Sequence, residues 1–333
     1  MPSRPRWTSI HALLHRTLRQ RRLLERHGRL LVAVSGGQDS LCLIKLLLDL
    51  QPKWGWHLAV AHCDHRWPKD LGIAAHVALF ADMCQVPFYL ETAVEVSTSE
   101  AAARQWRYQA LTKIAEEYGF DLVVTGHTKS DRAETLLYNL IRGAGADGLQ
   151  ALTWRRPLTP TLHLVRPLLE VSRAQTAQFC QELQLPVWED AYNQDLKYAR
   201  NRIRSQLLPY LQTHFNPQVE TALAQTAELL RADVEYLELA ARDLRQQAMM
   251  PGCGEEPDAG RLRLNRRILR QAPLALQRRV MRQFLQDALA VAPSFEQIEQ
   301  LTALITAPNG SGTSPFPGGA IATVAGDWIA LRL

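Results

Sequence analysis

The chain has 333 residues, of which 47% are hydrophobic and 21% charged, a length that suits two or three domains with buried cores. No apolar run approaches the roughly 20 residues that cross a bilayer, and no signal peptide opens the chain, so we expect a cytoplasmic protein with no membrane segment. The five cysteines are widely spaced and form no Cys-x-x-Cys pair. This spacing argues against a disulfide framework and against a zinc or iron–sulfur site.

The net charge is only +5, but of the 38 cationic residues 32 are arginine and 6 are lysine. Residues 4–29 contain eight arginines and one acid, and residues 261–282 contain eight arginines and no acid. Such blocks are typical of nucleic-acid-binding surfaces, although a solvated helix face or a preference for arginine codons explains either block alone about as well. From the second block we select as RNA-binding candidates Arg266, Arg267, Arg270, Arg278 and Arg279.

The first predicted element is an arginine-rich helix in which Ile10, Leu13, Leu14 and Leu18 recur at helical spacing. Openings of this kind also mark organellar transit peptides, but this segment runs almost directly into the first strand, which favours a structural helix. Strands are then predicted over 30–34, 57–63, 88–92, 121–125 and 162–166, and helices over 41–48, 70–84, 101–118, 131–142 and 200–212. This alternation predicts an α/β fold with a parallel, doubly wound sheet.

Asn216-Pro217 interrupts the chain and separates two predicted domains. The first, over 1–215, is a catalytic domain that includes the N-terminal helix. The second, over 216–333, is smaller and mainly helical, and it carries the second arginine block. It opens with a long helix over 218–249 and ends in a β-hairpin whose turn is Gly326-Asp327.

The hexapeptide Ser35-Gly36-Gly37-Gln38-Asp39-Ser40 joins the first strand to a helix. Two glycines allow positive backbone torsions, and the free N–H groups of the helix start point at the loop, so the junction suits a bound phosphate. Asp39 would repel a phosphate unless a divalent cation bridges the two. An ordinary turn with Ser35 or Asp39 as helix cap is the alternative. The Gly-x-Gly-x-x-Gly match at 143–148 follows a helix and is interpreted as a helix C-terminus.

Two further clusters follow strands, at the edge where such sheets bind ligands. Asp64 and His65 follow the second strand without any zinc-ligand spacing, and we interpret them as lining a nucleotide pocket. Gly126 and His127 follow the fourth strand, and Asp131 and Glu134 lie one helical turn apart just beyond. An acidic pair there is also what a helix cap requires, but two acids in an ATP pocket would suit a cationic cosubstrate or magnesium.

The hexapeptide resembles the pyrophosphate loop of the ATP pyrophosphatases, and the whole set of motifs resembles the family of tRNA(Ile)-lysidine synthetases. Matching pieces run in family order from residue 29 to 210, and they include Arg104, Arg107-Tyr108, Arg166-Pro167-Leu168 and 189–204. The resemblance implies that ATP adenylates the C2 oxygen of the wobble cytidine of tRNA(Ile) with a CAU anticodon. L-lysine then attacks C2 and expels AMP. A homodimer is a reasonable expectation from the relatives.

The resemblance assigns roles to individual residues. The nucleotide would be bound by Ala33, Val34, Ser35, Gly36, Gly37, Gln38, Asp39, Ser40, Asp64, His65 and Gly126, with Mg²⁺ on Asp39. Asp131 and Glu134 would bind the lysine ammonium groups. Catalytic residues would be Asp39, His127, Asp131 and Arg204, and further RNA contacts would come from Arg104, Arg107 and Arg200.

The chain departs from the family pattern at Thr128, Ser130 and Arg132, where relatives commonly carry His, Asp and Gln, and this leaves fewer metal ligands.

A second interpretation is another tRNA-modifying enzyme of this superfamily, such as a 2-thiocytidine thiolase, against which the absent Cys-x-x-Cys argues. A third is an RNA-binding protein with an inactive ATP site, against which the intact 35–40 loop argues.

Overall fold

The computed structural model describes residues 7–68, 71–96, 99–188, 195–249, 262–289 and 291–332. Contacts within the chain divide it into two units, Met1–Glu228 and Leu229–Leu333. The boundary predicted after residue 215 precedes this division and stays a prediction. Over the described residues no helix combines the length and apolar character that crossing a membrane requires.

The first unit alternates strands and helices. Its strands are β1 (Arg29–Ala33), β2 (His57–Asp64), β3 (Phe88–Thr92), β4 (Leu122–Thr125), β5 (Arg155–Pro157) and β6 (His163–Val165). Its helices are α1 (Ser9–Arg21), α2 (Gln38–Trp54), α3 (Ile73–Met83), α4 (Glu100–Glu117), α5 (Lys129–Ile141), α6 (Ala146–Leu149), α7 (Arg173–Glu182), α8 (Ala199–Arg202) and α9 (Leu208–His214). A π-helical turn over Ile203–Leu207 joins α8 to α9, and α10 (Val219–Met249) begins in this unit.

The sheet has the order β3-β2-β1-β4-β6-β5. All neighbours are parallel except β5, which pairs antiparallel with β6. The predicted parallel sheet is therefore confirmed, while the short edge strand β5 was not predicted. The chain moves outward in one direction from β1 to β3 and returns to the other side of β1 with β4. Strand order reverses between β1 and β4, which is where such folds form a ligand crevice.

The buried residues of β1 belong to two cores because successive side chains of a strand point to opposite faces. Leu30 and Val32 belong to a large core with residues of α1, α2, α3 and α7. Leu31 belongs to a smaller core with Leu111 and Ile114 of α4 on the other face. Covering both faces explains why residues 30–33 of this strand are all apolar.

The second unit contains the rest of α10 with β7 (Leu262–Asn265), α11 (Arg266–Arg270), α12 (Leu274–Ala288), α13 (Phe295–Ala303), β8 (Ile321–Ala325) and β9 (Trp328–Arg332). Its sheet has the order β7-β9-β8. The predicted hairpin is confirmed as β8 and β9. Strand β7 was not predicted, although Leu262 and Leu264 alternate with arginine as a strand requires. Its core includes Leu264, Phe284 and Ile329.

Candidate active site

A cavity of about 650 Å³ opens at the carboxyl edge of the first sheet. It is lined by four sets of residues: the 33–40 loop after β1, 61–65 and Trp67 after β2, Thr125–His127 with Asp131 after β4, and parts of α4, α7 and the 187–188 segment. Of the predicted residues, Arg107 and Arg204 also line it, whereas Gly36, Arg104, Glu134 and Arg200 do not. The cavity therefore lies at the carboxyl ends of the strands, where the sequence analysis expects ligands to bind, and it coincides with the reversal of strand order.

The loop after β1 is held in an anion-binding shape by its own residues. Gly36 has φ +84°, and a Cβ there would come within 3.2 Å of Ile73 and 3.4 Å of Trp188. The Ser40 hydroxyl donates to the Gly37 carbonyl at 2.8 Å and accepts from the Ser35 N–H at 3.2 Å. Within the described part of the chain no side chain caps α2, and its first N–H groups are directed at the loop.

Gly126 brings the end of β4 against the first turn of α2. A Cβ at this position would lie 2.8 Å from the Asp39 carbonyl oxygen and 3.1 Å from the Ser40 Cα. These are backbone atoms, which cannot turn aside as a flexible side chain could. Glycine is thus required here for close approach, and the contact joins the phosphate-type loop to the segment that carries His127 and Asp131.

Asp39 lies in a dense polar environment on the first turn of α2. Its Oδ1 accepts from the Thr176 hydroxyl at 2.5 Å, and its Oδ2 pairs with Arg173 Nη2 at 2.9 Å. Burial raises the pKa of this carboxyl above its ordinary value, while Arg173 acts in the opposite direction. Neither Arg173 nor Thr176 was selected from the sequence, because nothing local marks residues of α7 as neighbours of Asp39.

Asp131 carries two functions in the structure. Its Oδ2 accepts from the Thr128 N–H at 2.7 Å and the Thr128 hydroxyl at 2.8 Å, closing a capping box at the start of α5. Its Oδ1 faces Arg173 Nη2 at 3.6 Å and Arg204 Nη2 at 3.7 Å. Burial would raise the pKa of Asp131, but Arg173 and the two hydrogen bonds from Thr128 act in the opposite direction. The pKa therefore lies below its ordinary value, and the carboxylate is ionised at neutral pH.

His127 is a neutral side chain at the cavity wall. Burial lowers its pKa to about 3, and the positive charges of Arg166, Arg107 and Arg104 add to that effect. Its Nδ1 lies 2.9 Å from the Thr125 hydroxyl. An uncharged imidazole at neutral pH can accept a proton, as the predicted catalytic role requires, although its low pKa makes it a weak base.

Glu134 is 1% exposed, and both of its oxygens are held by Arg204, at 2.7 and 2.8 Å. It does not line the cavity, so a direct contact with lysine, as predicted, would require this ion pair to open. Arg204 instead reaches the cavity from the π-helical turn. Arg200 donates to the Thr135 hydroxyl at 2.6 Å and lies 3.7 Å from Glu100. Through these contacts the 199–207 segment is tied to α5.

The donor set fits a magnesium ion that also takes ligands from its substrate. Asp39 and Asp131 turn one carboxylate oxygen each toward the same Arg173 nitrogen, so the two acids already share a cation. Over the described residues no group of three or more His, Cys, Asp or Glu side chains could hold a metal alone. Mg²⁺ usually binds one or two carboxylates together with substrate phosphates and water, and this arrangement suits that preference.

The residues after β2 form an aromatic wall of the cavity. The His65 ring stacks on Trp67 with centroids 4.7 Å apart and meets Trp106 edge-on at 4.6 Å. Burial lowers the pKa of His65 to about 4, with Arg107 contributing, so the ring is neutral. His62 Nδ1 lies 2.8 Å from the Val34 carbonyl, which ties β2 to the start of the 35–40 loop. The two tryptophans were not singled out from the sequence.

The three positions that depart from the family pattern have structural partners. Thr128 caps α5, and Ser130 donates to Glu220 at 2.9 Å. Arg132 is 3% exposed and pairs with Glu228 at 2.7 Å. Glu220 and Glu228 both belong to the first turns of α10. Ser130 and Arg132 therefore tie α5 to α10, while Thr128 stabilises the start of α5. These contacts give the three residues a structural role in place of metal binding.

The predicted RNA-binding arginines of the second unit mostly have partners inside that unit. Arg266 and Arg270 donate to the Ala307 and Ile305 carbonyls, Arg278 pairs with Glu299, and Arg279 pairs with Glu238. Arg267 pairs with Asp327 at 2.7 Å but is 75% exposed. Their RNA contacts stay predictions, and Arg267 remains exposed despite its ion pair.

A doubly wound sheet with a Ser-Gly-Gly loop at its switch point defines the class of PP-loop enzymes, and residues 8–211 match the model of the PP-loop domain. Residues 264–327 match the model of the TilS substrate binding domain. A tRNA(Ile)-lysidine synthase of Nostoc sp. strain PCC 7120 is 67% identical over 98% of this chain and 97% of its own length. The corresponding enzyme of Synechocystis sp. strain PCC 6803 is 54% identical over 97% of each chain. The chain therefore belongs to the tRNA(Ile)-lysidine synthase family, a group of ATP-using ligases that modify tRNA, which confirms the resemblance seen in its sequence.

Among solved structures, the U34-tRNA thiolase of Methanococcus maripaludis with its [4Fe-4S] cluster superimposes with a TM-score of 0.55. It shares 17% sequence identity and covers 67% of this chain and 78% of its own. At this identity the likeness concerns the fold alone, and it agrees with the predicted α/β class.

Proposed function

We propose that the chain ligates L-lysine to C2 of the wobble cytidine of tRNA(Ile) with a CAU anticodon, with ATP consumed to AMP and diphosphate. The observation that carries the proposal is a single cavity that joins a phosphate-binding loop to an ionised acid, Asp131, through the Gly126 contact. ATP and a cationic cosubstrate can therefore be bound side by side. The family supports the same reaction.

In the first step the C2 oxygen of cytosine attacks the α-phosphate, and the bond from that phosphorus to the bridging oxygen breaks. Ser35, Gly37 and Ser40, with the first N–H groups of α2, would bind the leaving diphosphate. Asp39 would hold Mg²⁺, which would supply positive charge to the phosphate oxygens. Arg107 and Arg204 line the same cavity and are placed to stabilise negative charge as the bond breaks.

In the second step an amino group of lysine attacks C2 and AMP leaves. Free lysine carries an ammonium of pKa about 10.4, so a proton must leave before attack. Asp131 is ionised and accessible from the cavity, which suits the binding of an ammonium group. His127, which is neutral, or one of the acids of the cavity would accept this proton. Glu134 acts through Arg204, which it holds at the cavity wall.

The second unit would contribute to tRNA binding, since it matches a substrate binding domain and contains the exposed Arg267. We retain the division of the chain into a catalytic part over 1–215 and a tRNA-binding part over 216–333 as part of the proposal. A tRNA substrate also supports a cytoplasmic location. A homodimer stays a prediction, which sedimentation of the purified chain would test.

The decisive experiment measures transfer of labelled lysine to an unmodified tRNA(Ile) transcript in the presence of ATP and Mg²⁺. We expect lysine incorporation and AMP release in equal amounts, each dependent on the other substrates. A transcript with uridine in place of the wobble cytidine is the matched control and should give neither product. Incorporation of sulfur from a sulfide donor instead of lysine would favour the thiolase alternative. Binding of tRNA without AMP release would favour an inactive ATP site.

A further inference from the structure

Arg173, the first residue of α7, is a cation between two of the acids that line the cavity, Asp39 and Asp131. Its Nη2 lies 2.9 Å from the Asp39 Oδ2 and 3.6 Å from the Asp131 Oδ1. The side chain is 30% exposed and lines the cavity, so it is accessible to a ligand. Its Nε is buried and has no hydrogen-bond partner among the described residues. One guanidinium thus neutralises two carboxylates while part of its bonding capacity is unused.

The backbone of Arg173 is fixed to the phosphate-type loop. Its carbonyl accepts from Gln38 Nε2 at 2.9 Å and from the Thr176 hydroxyl at 2.9 Å. Its N–H donates to the Ser130 hydroxyl at 3.1 Å, which ties the same residue to α5. The Thr176 hydroxyl also contacts Asp39. The start of α7 therefore cannot move independently of Gln38 and Asp39, and any adjustment by Arg173 must occur in its side chain.

The arrival of Mg²⁺ and a triphosphate would reverse the charges around this guanidinium. A divalent cation held by Asp39 would replace the positive charge that Arg173 now supplies to that carboxylate. The same event brings phosphate oxygens to the 35–40 loop, a few ångströms from Asp39. A planar guanidinium binds phosphate through two parallel hydrogen bonds, and Nε, unused at present, is one of its donors.

We propose, on the basis of the proposed function, that Arg173 is a further binding residue for the reaction. It is the counter-ion of Asp39 and Asp131 when nucleotide is absent, and it binds the leaving diphosphate when ATP and Mg²⁺ occupy the cavity. No covalent change accompanies this exchange, which consists of a side-chain rotation and a change of partner. Arg173 then acts on the phosphate end of the nucleotide only.

The test is calorimetric binding of three probes in the presence of Mg²⁺: inorganic pyrophosphate, α,β-methylene-ATP and AMP. For Arg173→Met we expect pyrophosphate and the ATP analogue to bind about tenfold more weakly or worse, since a charge-assisted hydrogen bond is lost. AMP should bind within twofold of wild type. Arg173→Lys, which keeps the charge but not the fork, should give intermediate affinities. The matched control is Arg155→Met on the exposed edge strand β5, where all three affinities should match wild type.

The outcomes separate this proposal from the proposed function. If wild type binds pyrophosphate and Arg173→Met binds it equally well, the Arg173 assignment is wrong while the reaction stands. An equal loss for AMP would show that the residue only maintains the cavity, and it would overturn the assignment too. If wild type binds neither pyrophosphate nor the ATP analogue, both proposals fail. If Arg173→Met melts well below wild type, Arg173→Lys takes its place in the test. Pyrophosphate affinity of Arg173→Lys identical to that of wild type would then exclude diphosphate binding by Arg173.

Discussion

The arginines of the cavity and those of the second unit pair with carboxylates in different surroundings. Arg173 and Arg204 pair with Asp39, Asp131 and Glu134 at the wall of a cavity that a charged substrate can enter. Arg279 and Arg282 pair with Glu238, and so tie α12 to α10 within the second unit. Under our proposals the first set would exchange partners when an anion or a cation arrives. The second set holds two helices together.

An arginine-rich block in a sequence is therefore an ambiguous signal. The composition of the block at 261–282 predicts an RNA-binding surface. Most of the arginines selected from it, however, already bond to groups within the second unit. The arginines nearest the proposed chemistry are scattered singly between 104 and 204. Position relative to a cavity, more than density along the chain, distinguishes an arginine that binds substrate from one that stabilises a fold.

The largest effect is expected at the shared acids. Asp39→Ala should reduce exchange of labelled pyrophosphate into ATP to background, a loss of about 10,000-fold or more, because the metal loses a ligand and Arg173 loses its partner. Asp82→Ala, on the exposed side of α3, is the control and should exchange at the wild-type rate. Exchange by Asp39→Ala within tenfold of wild type would exclude the assignment of the 35–40 loop.

Removal of Arg204 should deprive the buried carboxyl of Glu134 of its ion-pair partner. Burial already raises the pKa of Glu134, and without Arg204 it rises further, so the folded state holds a proton that the unfolded state releases. The stability deficit of Arg204→Met should therefore be small at pH 4.5, grow as pH increases, and reach about 3–5 kcal/mol at pH 7.5, measured by urea unfolding. The double variant with Glu134→Gln should lose this pH dependence. A deficit that is constant across this range would contradict the prediction.

The contact between α5 and α10 should show a smaller, measurable coupling. A double-mutant cycle with Arg132→Met and Glu228→Gln should give an interaction free energy of about 1–3 kcal/mol, since Arg132 is buried. The same cycle on Arg231 and Glu235, an exposed pair one helical turn apart, should give about 0.5 kcal/mol or less. Equal coupling in the two cycles would show that the departure at Arg132 has no structural importance.

The smallest effect is expected for the second unit. Arg267→Gln should weaken tRNA binding by a few-fold and lower the salt dependence of the affinity by about 0.7–0.9 in slope, as expected for one phosphate contact. Arg279→Gln should instead lower the melting temperature and leave the salt slope unchanged, because this side chain is bonded to Glu238. A larger change of slope for Arg279→Gln than for Arg267→Gln would reverse the proposed distinction.

Sequence patterns predicted the doubly wound sheet and the family because those signals are local. The apolar run of β1 and the glycines after it are constrained by neighbours within a few residues. Arg173 was missed because its relation to Asp39 arises only when α7 packs on α2. The bidentate pair of Glu134 and Arg204 was missed for the same reason, since the sequence places acids on one helix face without indicating which cation covers them. Strand β5 is three residues long and contains Pro157, which weakens any periodic signal.

In the proposed reaction, the glycine at position 126 would set the distance between the nucleotide and the incoming amine. Its missing side chain lets two backbones touch, so one junction would hold both substrates at a spacing set before either arrives. A methyl group there would separate them by a fraction of an ångström to an ångström, and displacements of that size can slow a reaction about 100-fold. Such a defect would leave each substrate bound normally and would appear only in the rate at which they combine.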